Sequence, residues 1–460
     1  MKKLSIGTIR KVIHGSLVKG NDNLMISSVV TQAKQVESSN TLLFLLNPRT
    51  FDWRFIKKYL PCAIVTDRPI GHCPFGNNCT IIKVNKIKES YYDFIDFYRN
   101  QFDIPVIAVT GTCGKTTTKD MTRHILKHFY KTEGTVKSTN GESKHLSYLM
   151  KLNDSVEAAV YETAVAAPGY IKKSSRYFKP QIGIITNIGI DHLDQCKTLE
   201  GYIKAKGEMV KAVGEKGTLI LNADDDNIKK ISLEDFKGKI IYYGVGENAD
   251  YQASNIEFVP KGMSYILTVN NKRYKIFIPG YGVHQVYNSM AAIAAAYEVG
   301  ISYRDSIKLL PSFKHLNSHF EVMKGLNQCQ LIVDTWNINP TSLEASIKTM
   351  CEIAKNRKKI ALVGSIDALG KNSRQLHQKV GDMICQYDLD VLITIGSQAR
   401  YIALQCRRNG FKGKVYSFSS TEGVRRLLNQ IVDKDTTLLT KCSMHDPAVI
   451  NFVNNLKLKK

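Results

Sequence analysis

The sequence predicts an α/β protein of three domains: a small α/β N-terminal cap over residues 1–102, a central domain with a mostly parallel sheet over 103–316, and a C-terminal Rossmann-like domain over 317–460. Three observations carry this reading. At 460 residues the chain is too long for one ordinary core, because single domains run to roughly 100–200 residues. From Asp103 onward, short apolar runs alternate with helix-period segments, the pattern of parallel strands covered on both faces. Between one such run and the next helix lies a glycine-rich turn, Val109-Thr-Gly-Thr-Cys-Gly-Lys-Thr-Thr117.

In the cap, Thr41 to Leu46 and Cys62 to Val65 are strand-like runs separated by Pro and Gly turns. The central part opens with a strand over Ile104 to Val109. A helix over Thr116 to Tyr130 follows, with Met121, Ile125, Leu126 and Phe129 on one side. Further strands are expected over Glu157 to Tyr161, Gln181 to Thr186 and Gly217 to Leu221. Tyr251 to Pro279 is strand-rich, with a hairpin turn at Asn270-Asn271, and Gln285 to Val299 is an alanine-rich helix. The last part repeats the alternation, with strands over Gln330 to Val333, Lys359 to Val363, Val391 to Ile395, Lys414 to Phe418 and Thr437 to Thr440.

Composition narrows the class. The excess of 64 Lys+Arg over 41 Asp+Glu gives a net charge of +23, which suits a nucleic-acid binder or an enzyme of anionic substrates. The lysines are dispersed, as in Lys57-Lys58, Lys358-Lys359 and Lys457 to Lys460 with Leu458 between, and no long basic run appears. A nucleic-acid-dependent ATPase therefore rests on net charge alone, and no nucleic-acid partner is expected. The ten cysteines form no CxxC pair, and no apolar signal region follows Met-Lys-Lys-Leu-Ser, which together predict a cytoplasmic protein. His72-Cys73 and Cys79 match no usual zinc spacing. No apolar stretch approaches ~20 residues, so no membrane insertion is expected.

The glycine-rich turn makes the central part a P-loop ATPase domain. At a helix N-terminus, the free N–H groups of Gly111, Thr112, Cys113, Gly114 and their neighbours favour phosphate oxygens. Lys115 adds a point charge, and Thr116, followed by Thr117, offers a hydroxyl for Mg²⁺. The long P-loop pattern fails at Val109, but the shorter GxxGKT core is intact. Downstream, a strand ends at Glu162, where a nucleotide enzyme keeps a carboxylate for its metal. Ile184 to Leu193 runs from a buried strand into a loop carrying His192, and Ala205-Lys-Gly-Glu208 follows.

In this order the motifs resemble the Mur ligases, the ATP-dependent amide-forming enzymes of peptidoglycan precursor synthesis. The family's TGTxGKTT corresponds to Thr110 to Thr117, its strand-end Glu to Glu162, its TNI…H to Thr186-Asn187-Ile188 with His192, and its AKGE to Ala205 to Glu208. Its GxHNxxN appears as Gly282-Val-His-Gln-Val-Tyr-Asn288. Asp334-Thr-Trp-Asn-Ile-Asn-Pro340, and Val363 to Gly370 with His377, resemble segments of the D-alanyl-D-alanine-adding branch.

The resemblance implies a small-molecule carboxylate activated by ATP as an acyl phosphate and then joined to an amino acid or dipeptide, with ADP and phosphate released. The carboxylate could be UDP-linked, and the protein is expected to act as a monomer. Lys115, Glu162, His192 and Lys206 would be catalytic. One Mg²⁺ would lie at Thr116 and Glu162, and a second near His192 and a carbamate formed on Lys206, with Lys204 as the alternative position. Asn288 would contact adenine, His319 and Asp334 would face ATP, and Asn337, Asn339, Pro340 and the cap residue Lys34 would contact substrate.

Several positions depart from the family pattern. The cap's DSR triplet is replaced within Thr31-Gln-Ala-Lys-Gln-Val36, and the NN segment has become Ser138-Thr-Asn-Gly-Glu-Ser143. The HN pair is His284-Gln285, the Arg of GRxE is His319, and the KGS reads Lys441-Cys-Ser443. His319 puts an imidazole where the family has a planar guanidinium fork. Two alternatives to the D-alanyl-D-alanine reaction stay open: a paralogue joining a different acid and amino acid, or a non-catalytic nucleotide-binding protein.

Overall fold

A computed structural model describes residues 1–47 and 51–458. Lys459 and Lys460, among the dispersed lysines, lie outside the described residues. Packing divides the chain into two compact units. The first comprises Met1–Ile107, Phe129–Tyr161 and Lys172–Gln181, and the second comprises Ala108–His128, Glu162–Ile171 and Ile182–Lys460.

In the first unit a five-stranded sheet runs in the order Ser16–Lys19, Cys79–Lys83, Cys62–Thr66, Thr41–Phe44, Ser28–Val30. All its pairs are parallel except the Ser16–Lys19 edge. The buried runs Thr41–Phe44 and Cys62–Thr66 have the unbroken apolar character that a doubly covered parallel strand requires. Helix Ile87–Arg99 buries Tyr91, Phe94, Ile95 and Tyr98, spaced by three and four residues so that they share a face. The core these residues join also contains Tyr148, Leu149, Leu152, Tyr161 and Phe178. Arg99 is buried there and satisfied by carbonyls, its Nε donating to Phe178 O at 2.7 Å and its Nη1 to Phe102 O at 2.6 Å.

His145 lies in the same core, 5.4 Å from the Tyr177 ring and 5.2 Å from that of Phe178. Burial pushes its imidazole down to about 4. An unfolded imidazole takes up its proton near 6.5, so between these values the unfolded chain binds more protons and the folded state loses ground as pH falls. The contribution should be complete above about 6.5 and fall by up to roughly 3 kcal/mol on acidification to pH 4. Urea unfolding at pH 7 and pH 4.5 checks this. The pH slope should flatten in His145→Gln, and an unchanged slope would assign it to other groups.

The second unit contains two sheets. In the first, Ile182–Ile185, Thr218–Asn222, Lys239–Gly244 and Tyr251–Val259 pair in parallel, and Gly262–Val269 and Lys272–Pro279 extend the sheet antiparallel. The hairpin expected at Asn270-Asn271 is present, with both residues in the left-handed region. Val106–Thr110 lies beyond Ile182–Ile185 in the strand order, and its carboxyl end enters the glycine-rich turn. Helix Val283–Glu298 buries an almost unbroken alanine stripe, which permits close packing.

The second sheet runs Glu321–Lys324, Gln330–Asp334, Thr436–Lys441, Lys358–Gly364, Val391–Ile395, Lys414–Phe418 and is parallel except at its first edge. Helices Pro340–Ala354, Ser373–Ile384 and Arg400–Arg408 pack on one face and Thr421–Ile431 and Pro447–Asn454 on the other. This is the expected doubly wound arrangement, whose strand ends are the usual place for a ligand. No helix among the described residues is long and apolar enough to cross a membrane.

Candidate active site

The strand Val106–Thr110 is apolar and wholly buried, and the next helix, Lys115–Leu126, begins immediately after Gly114. The turn between them depends on glycine at two points. Gly111 has φ +145°, and a Cβ there would stand 1.9 Å from Thr186 Oγ1; Gly114 has φ +78°, and a Cβ would stand 2.4 Å from Asn288 Oδ1. Gly111→Ala should therefore open the turn, with loss of nucleotide binding by calorimetry and a lower Tm. Retained affinity would show that the turn tolerates a side chain.

The turn is clamped by the Thr186-Asn187 segment. Thr112 N donates to Asn187 O at 2.8 Å, Cys113 N to Asn187 Oδ1 at 2.9 Å, and Thr186 Oγ1 to Cys113 O at 2.6 Å. Sequence reasoning matched this segment to a motif without giving it a role. Its signal was a polar pair directly after a buried strand.

Around the clamped turn the predicted groups converge. Lys115 Nζ donates to Thr112 O at 2.8 Å, and Thr116 Oγ1 donates to Glu162 Oε2 at 2.8 Å. Lys206, only 1% exposed, donates from Nζ to Gly111 O at 2.8 Å and Thr110 Oγ1 at 3.3 Å, and its ammonium lies 4.9 Å from the Tyr202 ring centroid. Burial, followed by the charge of Lys115, holds the Lys206 amine well below the usual lysine range. Lys204 instead points to solvent and pairs with Glu200 at 2.8 Å. His192 takes φ +50° at the start of the short helix Leu193–Cys196, and burial lowers the pKa of its imidazole while neighbouring Asp191 opposes the shift.

The C-terminal sheet brings its strand ends to the same turn. Cys113 Sγ lies 3.4 Å from Asn339 Oδ1, and Asn339 Nδ2 donates to Asp191 Oδ2 at 3.3 Å. Asn339 also caps helix Pro340–Ala354, accepting from Ser342 N at 2.8 Å; Pro340 occupies the first helical position, where its missing N–H is harmless. Asn337 Oδ1 accepts from Ile338 N at 2.8 Å. Asp334 is buried and bonded to Lys441 Nζ at 2.8 Å and Ser346 Oγ at 2.6 Å. Lys441 is the partner that sequence reasoning did not find, because the two residues are far apart in the chain and meet only through strand pairing.

Other expected residues lie elsewhere around the site. Asn288 is packed under the turn, accepting from Thr118 Oγ1 at 3.2 Å and donating to Gln285 Oε1 at 3.4 Å. The His319 ring stacks on Trp336 at a centroid distance of 5.3 Å. His377 accepts from Ile366 N at 3.1 Å and donates to Ser373 O at 2.7 Å, pinning the loop between them. Lys34 belongs to the other unit, where its ammonium lies 5.5 Å from the Phe55 ring centroid.

A clamped phosphate turn, a strand-end carboxylate on the hydroxyl after the loop lysine, and a Rossmann-like domain against them define a P-loop, ATP-dependent ligase. Residues 109–296 match the Mur ligase middle domain and residues 320–444 the Mur ligase glutamate ligase domain, and the chain belongs to the Mur ligase family. It is 27% identical over 447 residues to the UDP-N-acetylmuramoyl-tripeptide--D-alanyl-D-alanine ligase of Bacillus subtilis, covering 96% of each chain. It is 27% identical to the Escherichia coli protein of the same name, covering 70% of this chain and 71% of that one. Among solved structures, MurF from Acinetobacter baumannii superimposes with a TM-score of 0.86 at 24% identity over 99% of both chains. MurF from Thermotoga maritima, solved in complex with ADP, gives 0.76 at 22% identity over 93% of this chain and 97% of that one.

Proposed function

We propose that this ligase joins D-alanyl-D-alanine to the free carboxylate of a UDP-muramoyl tripeptide in peptidoglycan precursor synthesis. The supporting observation is the convergence on one turn of Lys115, Thr116 with Glu162, and buried Lys206. Sequence similarity to ligases of this name along nearly the whole chain points the same way.

In this reading Lys115 and the turn amides hold the γ-phosphoryl group while the carboxylate oxygen attacks phosphorus and ADP leaves. The amine then attacks the acyl carbon, and phosphate departs. Thr116 and Glu162 fit a hard cation because both present oxygen, and His192 with a carbamate on Lys206 would hold a second. Bound there, Mg²⁺ would neutralise charge developing on the phosphoryl oxygens. Among the described residues no three His, Cys, Asp or Glu side chains come together as a cation site. Carbamate formation needs a neutral amine, the form that burial of Lys206 favours.

Asn288 and His319 would flank the adenosine end and Asp334 the ATP or amine. Asn337, Asn339, Pro340 and Lys34 would serve the substrates, and the three domains would divide at 102 and 316. The protein would work as a monomer in the cytoplasm. A related reading, a paralogue joining another acid and amino acid, is favoured by the cap, where Gln32 caps a short turn and Lys34 rests on Phe55. Incubation with ATP, Mg²⁺, UDP-muramoyl tripeptide and D-alanyl-D-alanine should release ADP and phosphate and yield the pentapeptide product by mass. Product formed only with other acids would favour the second reading, and none with any acid would leave a nucleotide-binding protein without turnover.

A further inference from the structure

Three cysteines that match no zinc spacing meet in one small core of the first unit. Cys62 and Cys79 open adjacent parallel strands and are register partners. Strand alternation puts them, with Ile64, Ile81, Leu43 and Leu45, on one face of the five-stranded sheet, and all six share a buried cluster. Cys73 joins that cluster from the loop between the two strands. Cys62 is 2%, Cys73 5% and Cys79 0% exposed, whereas His72 and Pro74, on either side of Cys73, are exposed. Cys73 is thus the thiol of the three that a small reagent meets first.

Geometry decides which pair can be joined. Register partners of a parallel ladder stand about 4.8 Å apart with their Cα–Cβ bonds side by side, wider than the roughly 3.5–4.5 Å between Cβ atoms that a disulfide takes. Cys62 and Cys79 therefore meet as thiols, and a hydrogen bond from Cys79 holds Cys62 below its usual range. Cys73 is under no such constraint. The chain between it and Cys79 turns back on itself, with Gly76 at φ +55° and Asn78 N donating to Phe75 O at 3.1 Å. The same core supports the short turn Ala33–Gln35. Ala33 and Val36 are buried in it, and Phe55, whose ring centroid lies 5.5 Å from the Lys34 ammonium, packs against it.

We propose that Cys73 and Cys79 form a peroxide-sensitive modification site, and that the disulfide joining them weakens the cap's hold on the acid substrate. A peroxide, ROOH, oxidises the Cys73 thiol to a sulfenic acid and leaves as ROH. The Cys79 sulfur then displaces the sulfenic hydroxyl, which departs with the Cys79 proton as water. Burial raises the Cys73 thiol, so the reaction is slow and needs peroxide in excess. Drawing two sulfurs from contact to about 2 Å shifts a close-packed core, which passes the strain to the turn carrying Lys34. The effect on substrate rests on the ligase reading above, whereas the disulfide does not. The test treats the reduced protein with hydrogen peroxide, blocks the remaining thiols and maps disulfides by peptide mass. KM for UDP-muramoyl tripeptide and for ATP is measured before and after, in wild type, Cys73→Ser and Cys79→Ala. Wild type should yield the Cys73–Cys79 pair. Its KM for the acid should rise on the order of tenfold and return with dithiothreitol, while KM for ATP, whose residues lie in the other unit, stays the same. Both variants should keep their KM under peroxide. A disulfide between other cysteines, or none in wild type, overturns the site, and a mapped bond with KM unmoved overturns its effect on the cap. Absence of ligation by the reduced protein overturns the ligase reading and leaves the mapped bond standing.

Discussion

Lys115→Ala should lose ligase turnover by on the order of 10³ while remaining folded. A donor aimed at charge that develops only in the transition state contributes about that much. Lys115 is the side-chain cation of the turn itself, and its amine donates to Thr112 O at 2.8 Å. Its removal breaks none of the bonds from Thr186 and Asn187 that shape the turn, so the Tm should stay within a few degrees of wild type. Steady-state phosphate release together with thermal unfolding checks both halves. Turnover retained within about tenfold would mean that another group neutralises the phosphoryl oxygens.

Lys206→Ala should be comparably damaging, and the loss should be partly reversible. The amine is buried between Gly111 O and the Tyr202 ring, so truncation leaves a small space beside the turn. If the working group is an oxygen ligand formed on that amine, formate or acetate at tens of millimolar should enter the space and restore part of the activity. Lys206→Met fills the space and should not be rescued. Unimpaired Lys206→Ala would place the function elsewhere, and loss without rescue would favour a plain ammonium role. In wild type, a carbonyl resonance appearing with ¹³C-enriched CO₂ and absent from Lys206→Met would report the carbamate directly.

The phosphate turn was legible in the sequence because its determinants are local: two glycines, a lysine and a hydroxyl within a few residues, between a buried strand and a helix. The alternating C-terminal strands were legible for the same reason, since each run carries its own period. What was not legible is what pairing decides. Lys441 meets Asp334 because Thr436–Lys441 and Gln330–Asp334 are neighbours in the sheet although distant in the chain. Residues 1–102 read as a cap of their own, yet their core includes Tyr148, Tyr161 and Phe178, which only tertiary contact brings there. Lys204 and Lys206 could not be separated by spacing alone. The helix Leu199–Ala212 turns one toward Glu200 and solvent and the other toward Gly111.

The central claim, that the γ-phosphoryl group of ATP is transferred to a substrate carboxylate at the Lys115 turn, predicts where one oxygen atom goes. When the acid substrate carries ¹⁸O in its carboxylate and the reaction runs with ATP, Mg²⁺ and the amine, the released phosphate should contain one ¹⁸O per amide formed, with ADP as the nucleotide product. Unlabelled phosphate, or AMP with pyrophosphate, would contradict the account.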